Sequence, residues 1–358
     1  MSMIIIQHLR KEYAKAVPLV DVSAEIQKGD AVSVIGPPGS GKSTLLRCIN
    51  RLEKPTSGKI WIEGTNIINK NVYMPAMRRK IGMVFRDCSL FGSLNVIENL
   101  MRAPVELLKK PRQEAYEQGI ELLKKVGLSG MELAYSAELT RGQRQRAAIA
   151  RALAMQPEIM LLDKPEGEPG SSAAVEVAAI IRRLSEDGLT MVIATNDMRL
   201  ARNVSNRIFY LDQGVLYEQG TPEQIFKRPM KERTKAFISN HRTLHAGLSN
   251  EGFDFPFFMA QLEEFGRKWE IGQDQLSVMQ HITWELLVQR LPAAGFCDIK
   301  LDVEYTKEDT VQMYFCYSGR KYHPFDEKAD VPAMECKEMF KKIEYGFLDG
   351  INLLICKL

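Results

Sequence analysis

The sequence predicts an α/β fold with two domains: a larger core that carries a helical insertion, and a smaller α+β sandwich domain after it. First, a glycine-rich stretch at residues 36–43 lies between a strand-like apolar run, residues 31–35, and a helical run, residues 44–51. Strands that alternate with helices favour an α/β core. Second, apolar residues recur at helical spacing from about residue 95 to residue 145. Third, basic residues outnumber acidic ones up to residue 243, and acidic residues outnumber basic ones beyond it.

The glycine-rich stretch is the strongest functional motif of the chain. It reads Gly36-Pro37-Pro38-Gly39-Ser40-Gly41-Lys42-Ser43 and fits the pattern G-x-x-x-x-G-K-[ST]. In such a loop, backbone N–H groups surround phosphates, the lysine reaches the β and γ oxygens, and the serine can hold Mg²⁺. A chance match in a glycine-rich turn is the alternative, and the flanking strand and helix argue against it. The motif therefore predicts a nucleoside triphosphate site.

Length and composition support two folded domains. The chain has 358 residues, of which 45% are hydrophobic, so it can bury a real core. We expect an N-terminal domain at residues 1–243, with the helical insertion at about 95–145, and a C-terminal domain at residues 250–358. The intervening "HRTLHAGLSN" has the polar and glycine residues of a linker. Complementary charge could hold the domains together, or the charges could belong to ordinary solvated surfaces.

The remaining composition favours a cytoplasmic protein. No apolar run approaches the roughly 18 residues needed to span a bilayer, and the N-terminus lacks a signal-peptide pattern. The six cysteines form no C-x-x-C pair, so we expect reduced thiols that mostly fill the core. We expect no nucleic-acid partner. The location we expect is the cytoplasm, either free or peripheral on the inner face of the cell membrane.

After the helical insertion, "ELTRGQRQRAAIARALAMQPEIMLLDKPEGEPG" completes an ordered set of motifs that resembles the ATP-binding cassette (ABC) ATPases. The segments "LLRCINRLEKPTSGKIWIEG" and "EQGTPEQIF" look most like the subunits that power polar-amino-acid importers. The resemblance implies binding of ATP and Mg²⁺, with Ser43 and Asp163 as metal ligands. The nucleotide-binding residues that it implies are Tyr13, which would stack on adenine, the loop residues Gly36, Gly39, Ser40, Gly41, Lys42, Ser43 and Thr44, the Walker B carboxylate Asp163, and the signature residues Thr140, Gly142 and Gln143.

Three catalytic positions of this family are altered. Lys164 stands where the family has the glutamate that polarises the attacking water, and an ammonium cannot accept that proton. Arg86 replaces the Q-loop glutamine and has no acceptor atom for a cation. Asn196 replaces the switch histidine; it can donate a hydrogen bond but cannot titrate. Arg141 also replaces the first glycine of the signature. We therefore predict that the chain binds ATP with little or no hydrolysis.

Arg86, Arg141 and Lys164 add positive charge around a site that already holds Lys42. Drift after loss of hydrolysis is one explanation. A second is a charge clamp that holds a triphosphate with a weakened need for Mg²⁺. A third is that Lys164 displaces Mg²⁺ or forms an ion pair with Asp163.

The resemblance also implies partners. ABC cassettes dimerise so that the signature of one chain closes the phosphate loop of the other, and they dock on a membrane permease through the groove between core and helical insertion. Here the altered Walker B residue and the altered signature lie on one chain, so neither a homodimer nor a heterodimer restores a complete site. The alternative function is a soluble nucleotide-sensing or scaffold protein derived from an ABC ATPase.

The C-terminal domain is predicted to contain a helix at residues 275–292 closed by Pro292, a hairpin turning at residues 306–309, and then a helix and a closing strand. This order faintly resembles the serine-kinase/anti-sigma branch of the histidine-kinase-type ATPase fold. Glu285 and Gln289 would lie at its Mg²⁺-binding box. We expect a domain that no longer binds nucleotide, in which Glu285 is a surface or capping carboxylate and His281 and His323 are solvated.

Overall fold

A computed structural model of the chain describes residues 2–167, 172–239, 243–248, 254–296, 298–305, 310–325, 340–348 and 350–358. Its contacts divide the chain into two compact units. The first comprises Met1–Pro169 and Ile180–Ile238, and the second comprises Gly170–Ala179 and Ser239–Leu358.

Within the described ranges, the first unit is built on one ten-stranded sheet. Its strands are β1 (Ser2–Tyr13), β2 (Ala16–Gln27), β3 (Ala31–Ile35), β4 (Ser57–Ile62), β5 (Thr65–Asn66), β6 (Ile81–Val84), β7 (Ile159–Asp163), β8 (Thr190–Ala194), β9 (Arg207–Asp212) and β10 (Val215–Gly220). They lie in the order β5-β4-β1-β2-β10-β9-β3-β8-β7-β6.

The strands β3, β6, β7 and β8 run parallel to one another, and β9 continues this parallel set beyond β3. Every residue of β3, β7 and β8 is buried. Such continuous apolar strands are typical of a parallel sheet whose two faces are both covered. In contrast, β1, β2, β4 and β5 form an antiparallel part of the sheet.

The helices between residues 42 and 239 are α1 (Lys42–Ile49), α2 (Met74–Arg79), α3 (Val96–Leu108), α4 (Arg112–Lys125), α5 (Arg141–Leu153), α6 (Ser172–Glu186), α7 (Met198–Val204), α8 (Pro222–Lys227) and α9 (Glu232–Ser239). The two units divide α6 between them, after Ala179. The predicted insertion corresponds to α3 and α4. Asn95 caps α3: its side chain accepts from the Glu98 N–H, and the Glu98 side chain accepts from the Asn95 N–H. This reciprocal capping box fixes where the insertion begins.

The second unit contains a five-stranded antiparallel sheet in the order β11-β12-β13-β15-β14. Its strands are β11 (Thr243–Leu248), β12 (Ile299–Tyr305), β13 (Val311–Ser318), β14 (Lys342–Leu348) and β15 (Ile351–Lys357). Its helical elements are α10 (Phe255–Lys268), α11 (Gln273–Trp284), a π-helical segment at Glu285–Arg290, and α12 (Leu291–Ala293). Helices and sheet share one apolar core that includes Leu262, Met279, Leu301 and Phe315. The predicted α/β core followed by a smaller α+β domain is confirmed.

Three local predictions for the second unit are wrong. The segment expected to be a linker contains β11, which pairs along its whole length with β12 and so belongs to the sheet. Pro292 does not close the preceding helix; it lies in the first turn of α12, where its missing N–H is tolerated. One closing strand is predicted for residues 332–358, yet Lys342–Leu348 forms a further strand, because β15 pairs with it residue for residue. The expected helix before it and the hairpin turn at 306–309 lie outside the described residues.

None of the helices in the described ranges has the length and apolar character needed to cross a bilayer. Among the described cysteines, Cys48, Cys88 and Cys356 have buried thiols and Cys316 has a half-buried one. Cys297 and Cys336 lie outside the described residues.

Candidate functional site

The parallel strands bring the predicted site residues to one edge of the first sheet. The phosphate loop follows the end of β3, Asp163 is the last residue of β7, and Asn196 comes two residues after β8. Arg86 follows the end of β6 in the same way. Because the carboxyl ends of neighbouring parallel strands share one edge, these four positions converge in space.

The glycines of the phosphate loop permit backbone packing that other residues would block. A Cβ on Gly36 would lie 2.0 Å from the Leu211 carbonyl oxygen. Gly41 has a φ of 100°, and a Cβ there would lie 2.2 Å from the Pro18 carbonyl oxygen. Such positive φ values favour glycine. The loop then leads directly into α1, whose first N–H groups are suited to phosphate oxygens.

Lys42 lies within this loop and is buried. Its Nζ donates to the carbonyl oxygens of Gly36 at 2.7 Å and Pro37 at 2.9 Å. Burial, followed by the Lys164 charge, lowers the pKa of Lys42 to about 8, although the Asp163 and Glu166 charges oppose the change. An anion beside Lys42 would relieve this penalty, so the arrangement favours binding of phosphate.

The two predicted metal ligands contact each other. Ser43 Oγ donates a hydrogen bond to Asp163 Oδ1 at 2.7 Å. A hydroxyl and a carboxylate at this spacing fit Mg²⁺, which takes oxygen ligands and keeps several from water or from substrate phosphates. In the described part of the chain, no group of three or more His, Cys, Asp or Glu side chains could hold a metal. The protein would therefore supply Ser43 and Asp163, and the nucleotide or water would supply the other ligands.

The three altered catalytic positions lie in different surroundings. Lys164 is half-buried with a φ of 51°, and its N–H donates to the Ala194 carbonyl at 2.8 Å. Among the ion pairs of the described residues, none joins Lys164 to Asp163, so the structure gives no support to that pairing. Asn196 Oδ1 is buried and accepts no hydrogen bond within the described protein. Arg86 is exposed.

The structure also brings in Glu166, which the sequence reasoning missed. It is only 4% exposed, and its Oε1 accepts hydrogen bonds from Thr195 Oγ1 at 2.8 Å and from the Asn196 N–H at 3.3 Å. Burial, followed by the Asp197 charge, raises the pKa of Glu166 to about 7. Its position three residues after the Walker B aspartate was the one available sequence signal.

The predicted adenine-stacking and signature residues lie on other elements, β1 and the start of α5. Tyr13 is the last residue of β1, its ring is 41% exposed, and Lys11 Nζ lies 4.5 Å from the ring centroid. An exposed aromatic ring of this kind can stack on a base. Thr140 caps α5 and exchanges reciprocal hydrogen bonds with Gln143, so this loop begins the helix in a fixed geometry.

The other signature residues have different degrees of exposure. Gly142 is half-buried, and Arg141 is exposed. A Cβ on Gly167 would lie 3.7 Å from Arg141 Nε, so this side chain approaches the segment that follows Walker B. Thr44 is half-buried in the first turn of α1. Residues 168–171, which follow Gly167, lie outside the described residues.

A phosphate loop between a buried strand and a helix, with a serine and an aspartate paired beside it, defines the first unit as a P-loop nucleotide-binding domain. Known proteins make the assignment more specific. The sequence model of the ABC transporter family matches residues 19–167. The glutamine transport ATP-binding protein GlnQ of Geobacillus stearothermophilus is 41% identical over 237 residues, which cover 66% of this chain and 98% of that protein. The arginine transport ATP-binding protein ArtM of Bacillus subtilis is 43% identical over 236 residues, again covering 66% of this chain and 98% of that protein.

Solved structures agree. The ATP-binding cassette MJ0796, solved as a dimer with ADP and phosphate, superposes with a TM-score of 0.56 at 33% identity. The match covers 62% of this chain and 99% of that one. The chain therefore belongs to the ATP-binding cassette family of ABC transporters, and the resemblance inferred from its motifs is confirmed. These matches do not test the resemblance of the second domain, which stays a prediction.

In the second unit, the expected environment of Glu285 is wrong. Its Oε1 accepts from Arg290 Nε at 2.6 Å, and both side chains are largely buried, 13% and 3% exposed. Glu285 therefore neutralises a buried guanidinium instead of facing solvent. His323 is also half-buried, 4.6 Å from the Tyr345 ring between centroids, whereas His281 is exposed as expected.

Proposed function

We propose that this chain is the ATP-binding subunit of an amino-acid ABC transporter and that it binds ATP with little or no hydrolysis. One observation carries the proposal: the phosphate and metal ligands Lys42, Ser43 and Asp163 keep a coherent geometry, while the next residue is Lys164. The relatives transport glutamine and arginine. Their similarity spans nearly their whole length, which supports amino-acid transport as the process served.

The weak hydrolysis follows from the side chains beside the phosphates. A water that attacks the γ-phosphate must lose a proton, and a positioned base typically accelerates such a step by about 10²- to 10⁴-fold. Lys164 and Arg86 are cations, and the Asn196 amide is not a base. None of the three can take that proton at neutral pH. ATP binding depends on the loop and the metal ligands instead, and these are retained.

The proposed function requires two protein partners, a second cassette and a membrane permease. A dimer is supported by MJ0796, which was solved as one. The helical insertion carries a cavity of about 210 Å³ that combines apolar and charged side chains and could receive a permease segment. It is lined by Leu94, Glu98, Met101, Arg102, Val105, Glu106 and Arg112. The location that follows is the cytoplasmic face of the membrane.

The test uses the purified full chain. ATP affinity is measured by calorimetry, and phosphate release is measured on the same sample. We expect ATP to bind, Lys42→Ala to abolish binding, and phosphate release to stay near background. Absence of ATP binding would overturn the proposal.

The transport role needs its own measurement. Where a permease and a solute-binding protein are encoded beside this chain, co-expression with them should yield a membrane complex that contains it. Arg102→Glu, in the cavity on the insertion, should weaken that complex without changing ATP affinity. A chain that binds ATP but recovers no permease would instead support a soluble nucleotide-sensing or scaffold protein.

A further inference from the structure

Glu166 is a buried carboxylate that the proposed function does not use. It lies in the segment after β7, and it is joined to the loop after β8 by the two hydrogen bonds from Thr195 Oγ1 and the Asn196 N–H. Both donors bind the same oxygen, Oε1. The other oxygen, Oε2, is buried and accepts no hydrogen bond from the described residues. A buried carboxylate oxygen without a donor is costly while it is charged.

The charges around Glu166 do not offset this cost. Asp197, from the loop after β8, lies close enough to disfavour a second negative charge. Asp197 is itself paired with Arg199, at 3.2 Å. Lys42, at the start of α1, has an ammonium that senses the Glu166 carboxylate. Lys42 also senses the charges of Asp163 and Lys164 at the end of β7.

Glu166 is therefore electrostatically coupled to the group that must bind phosphate. Lys42 is the loop residue that reaches the β and γ oxygens in this motif. An ATP in the loop brings several negative charges to Lys42. The ammonium of Lys42 then offsets the charge of the phosphates and offsets less of the charge of Glu166. The buried Glu166 carboxylate then faces more negative charge with less compensation, which favours its neutral form.

We propose that Glu166 makes ATP binding proton-linked: its carboxylate takes up one proton from solvent when a triphosphate occupies the phosphate loop. The inference rests on the proposed function, because it requires ATP to bind at this site. The proton goes to a carboxylate oxygen, and the neutral carboxyl gains an O–H donor. Asn196 Oδ1, in the residue already bonded to Glu166, is a second buried oxygen that lacks a donor.

The geometry does not favour Glu166 as a replacement for the missing base. Oε1 is occupied by two donors and Oε2 is enclosed by protein, so neither oxygen is presented to a water beside the γ-phosphate. Glu166 instead adjusts the charge of the pocket.

Calorimetry in two buffers with different ionisation enthalpies measures the proton uptake directly. The full chain is titrated with ATP at pH 7.5 in excess Mg²⁺, and the dependence of the binding heat on the buffer gives the protons bound per ATP. We expect about half a proton for the unaltered chain, because Glu166 is mostly ionised at this pH before ATP binds. Glu166→Gln should lose most of this uptake, and the exposed Glu186→Gln is the matched control with unchanged uptake.

A second variant keeps the carboxylate. Thr195→Val removes one donor to Glu166 Oε1, so the carboxylate should hold its proton at higher pH, and the pH of maximal uptake should rise. Equal uptake in the unaltered chain and in Glu166→Gln would overturn the inference while leaving ATP binding intact. Failure of ATP to bind at all would overturn the proposed function and the inference together.

Discussion

Ser43 Oγ and Asp163 Oδ1 lie 2.7 Å apart, although 120 positions separate them in the chain. The contact joins the start of α1 to the end of β7. It keeps a hydroxyl and a carboxylate together at the edge where phosphates would bind, which fits Mg²⁺ coordination. The next residue, Lys164, stands where a base would be needed. Metal ligands have therefore been kept and the base has not, and this contrast leads to the following predictions.

The first prediction concerns turnover. Phosphate release by the full chain should be at least about 100-fold slower than that of an active cassette, because no side chain at positions 86, 164 or 196 can take the proton of water. A coupled phosphate assay measures this rate, and Lys42→Ala provides the background. The prediction would be contradicted by phosphate release that proceeds at rates typical of the family and is lost in Lys42→Ala.

The second prediction concerns rescue. Lys164→Glu alone should raise phosphate release by less than about 100-fold, because Arg86 and Arg141 remain altered and effects of residues that act together are not additive. The change also places a carboxylate between Asp163 and the buried Glu166, which adds repulsion. Lys164→Ala is the matched control, since it removes the cation without adding a base. A gain of 100-fold or more in Lys164→Glu would show that the other alterations are tolerated.

The third prediction concerns the metal. Removing Mg²⁺ with EDTA should weaken ATP binding by less than tenfold, or about 1.4 kcal/mol. Lys164 is near enough to lower the pKa of Lys42, so its charge reaches the phosphate loop. Exposed Arg86 is free to turn toward a bound phosphate. Lys164→Ala should make ATP affinity more dependent on Mg²⁺. If EDTA lowers the ATP affinity of the unaltered chain tenfold or more, the metal, and not these side chains, neutralises the phosphates.

The fourth prediction is a pH dependence of stability. The pKa of Glu166 is raised to about 7 in the folded protein, so the folded state keeps a proton that the unfolded state has lost. This contribution is fully present below the unfolded pKa, near 4.3, and is lost as the pH rises through about 7. The side chain introduced by Glu166→Gln does not titrate, so the variant does not lose this stability as the pH rises. The free energy of unfolding of Glu166→Gln, relative to that of the unaltered chain, should therefore rise by up to roughly 3 kcal/mol between pH 5 and pH 8.

Urea unfolding followed at both pH values measures this difference. The exposed Glu186→Gln should show no comparable change between pH 5 and pH 8. If the stability difference between Glu166→Gln and the unaltered chain is the same at both pH values, Glu166 does not carry a raised pKa.

The fifth prediction concerns the second unit. Glu285→Ala should destabilise it by about 3 kcal/mol, since removing one partner of a buried ion pair is strongly destabilising. Arg290 also donates to the Pro324 carbonyl, at 3.0 Å, and this neutral acceptor does not replace the charge of the Glu285 carboxylate. The exposed Glu264→Ala should be nearly neutral. An unchanged unfolding midpoint for Glu285→Ala would show that the pair contributes no stability.

The structure also explains why parts of the second unit were not predictable. Thr243–Leu248 has the polar and glycine content of a linker, yet its backbone pairs with Ile299–Tyr305. Edge strands are decided by the neighbour that pairs with them, and that neighbour lies more than fifty positions away. The alternation in β12 and β13 was visible in the sequence because one face of each strand enters the core.

The sequence by itself determined the phosphate loop, the P-loop fold and the altered positions 86, 164 and 196. These follow from local order: glycines, a lysine and a serine at fixed spacing can be recognised within one segment, and so can a base replaced by a cation. Only the tertiary structure decided that Ser43 is hydrogen-bonded to Asp163 and that Glu285 neutralises a buried arginine. It also decided that Glu166 is buried and accepts hydrogen bonds from Thr195 and Asn196. Burial and distant charges set the protonation of a carboxylate, and both arise only when separate segments pack together.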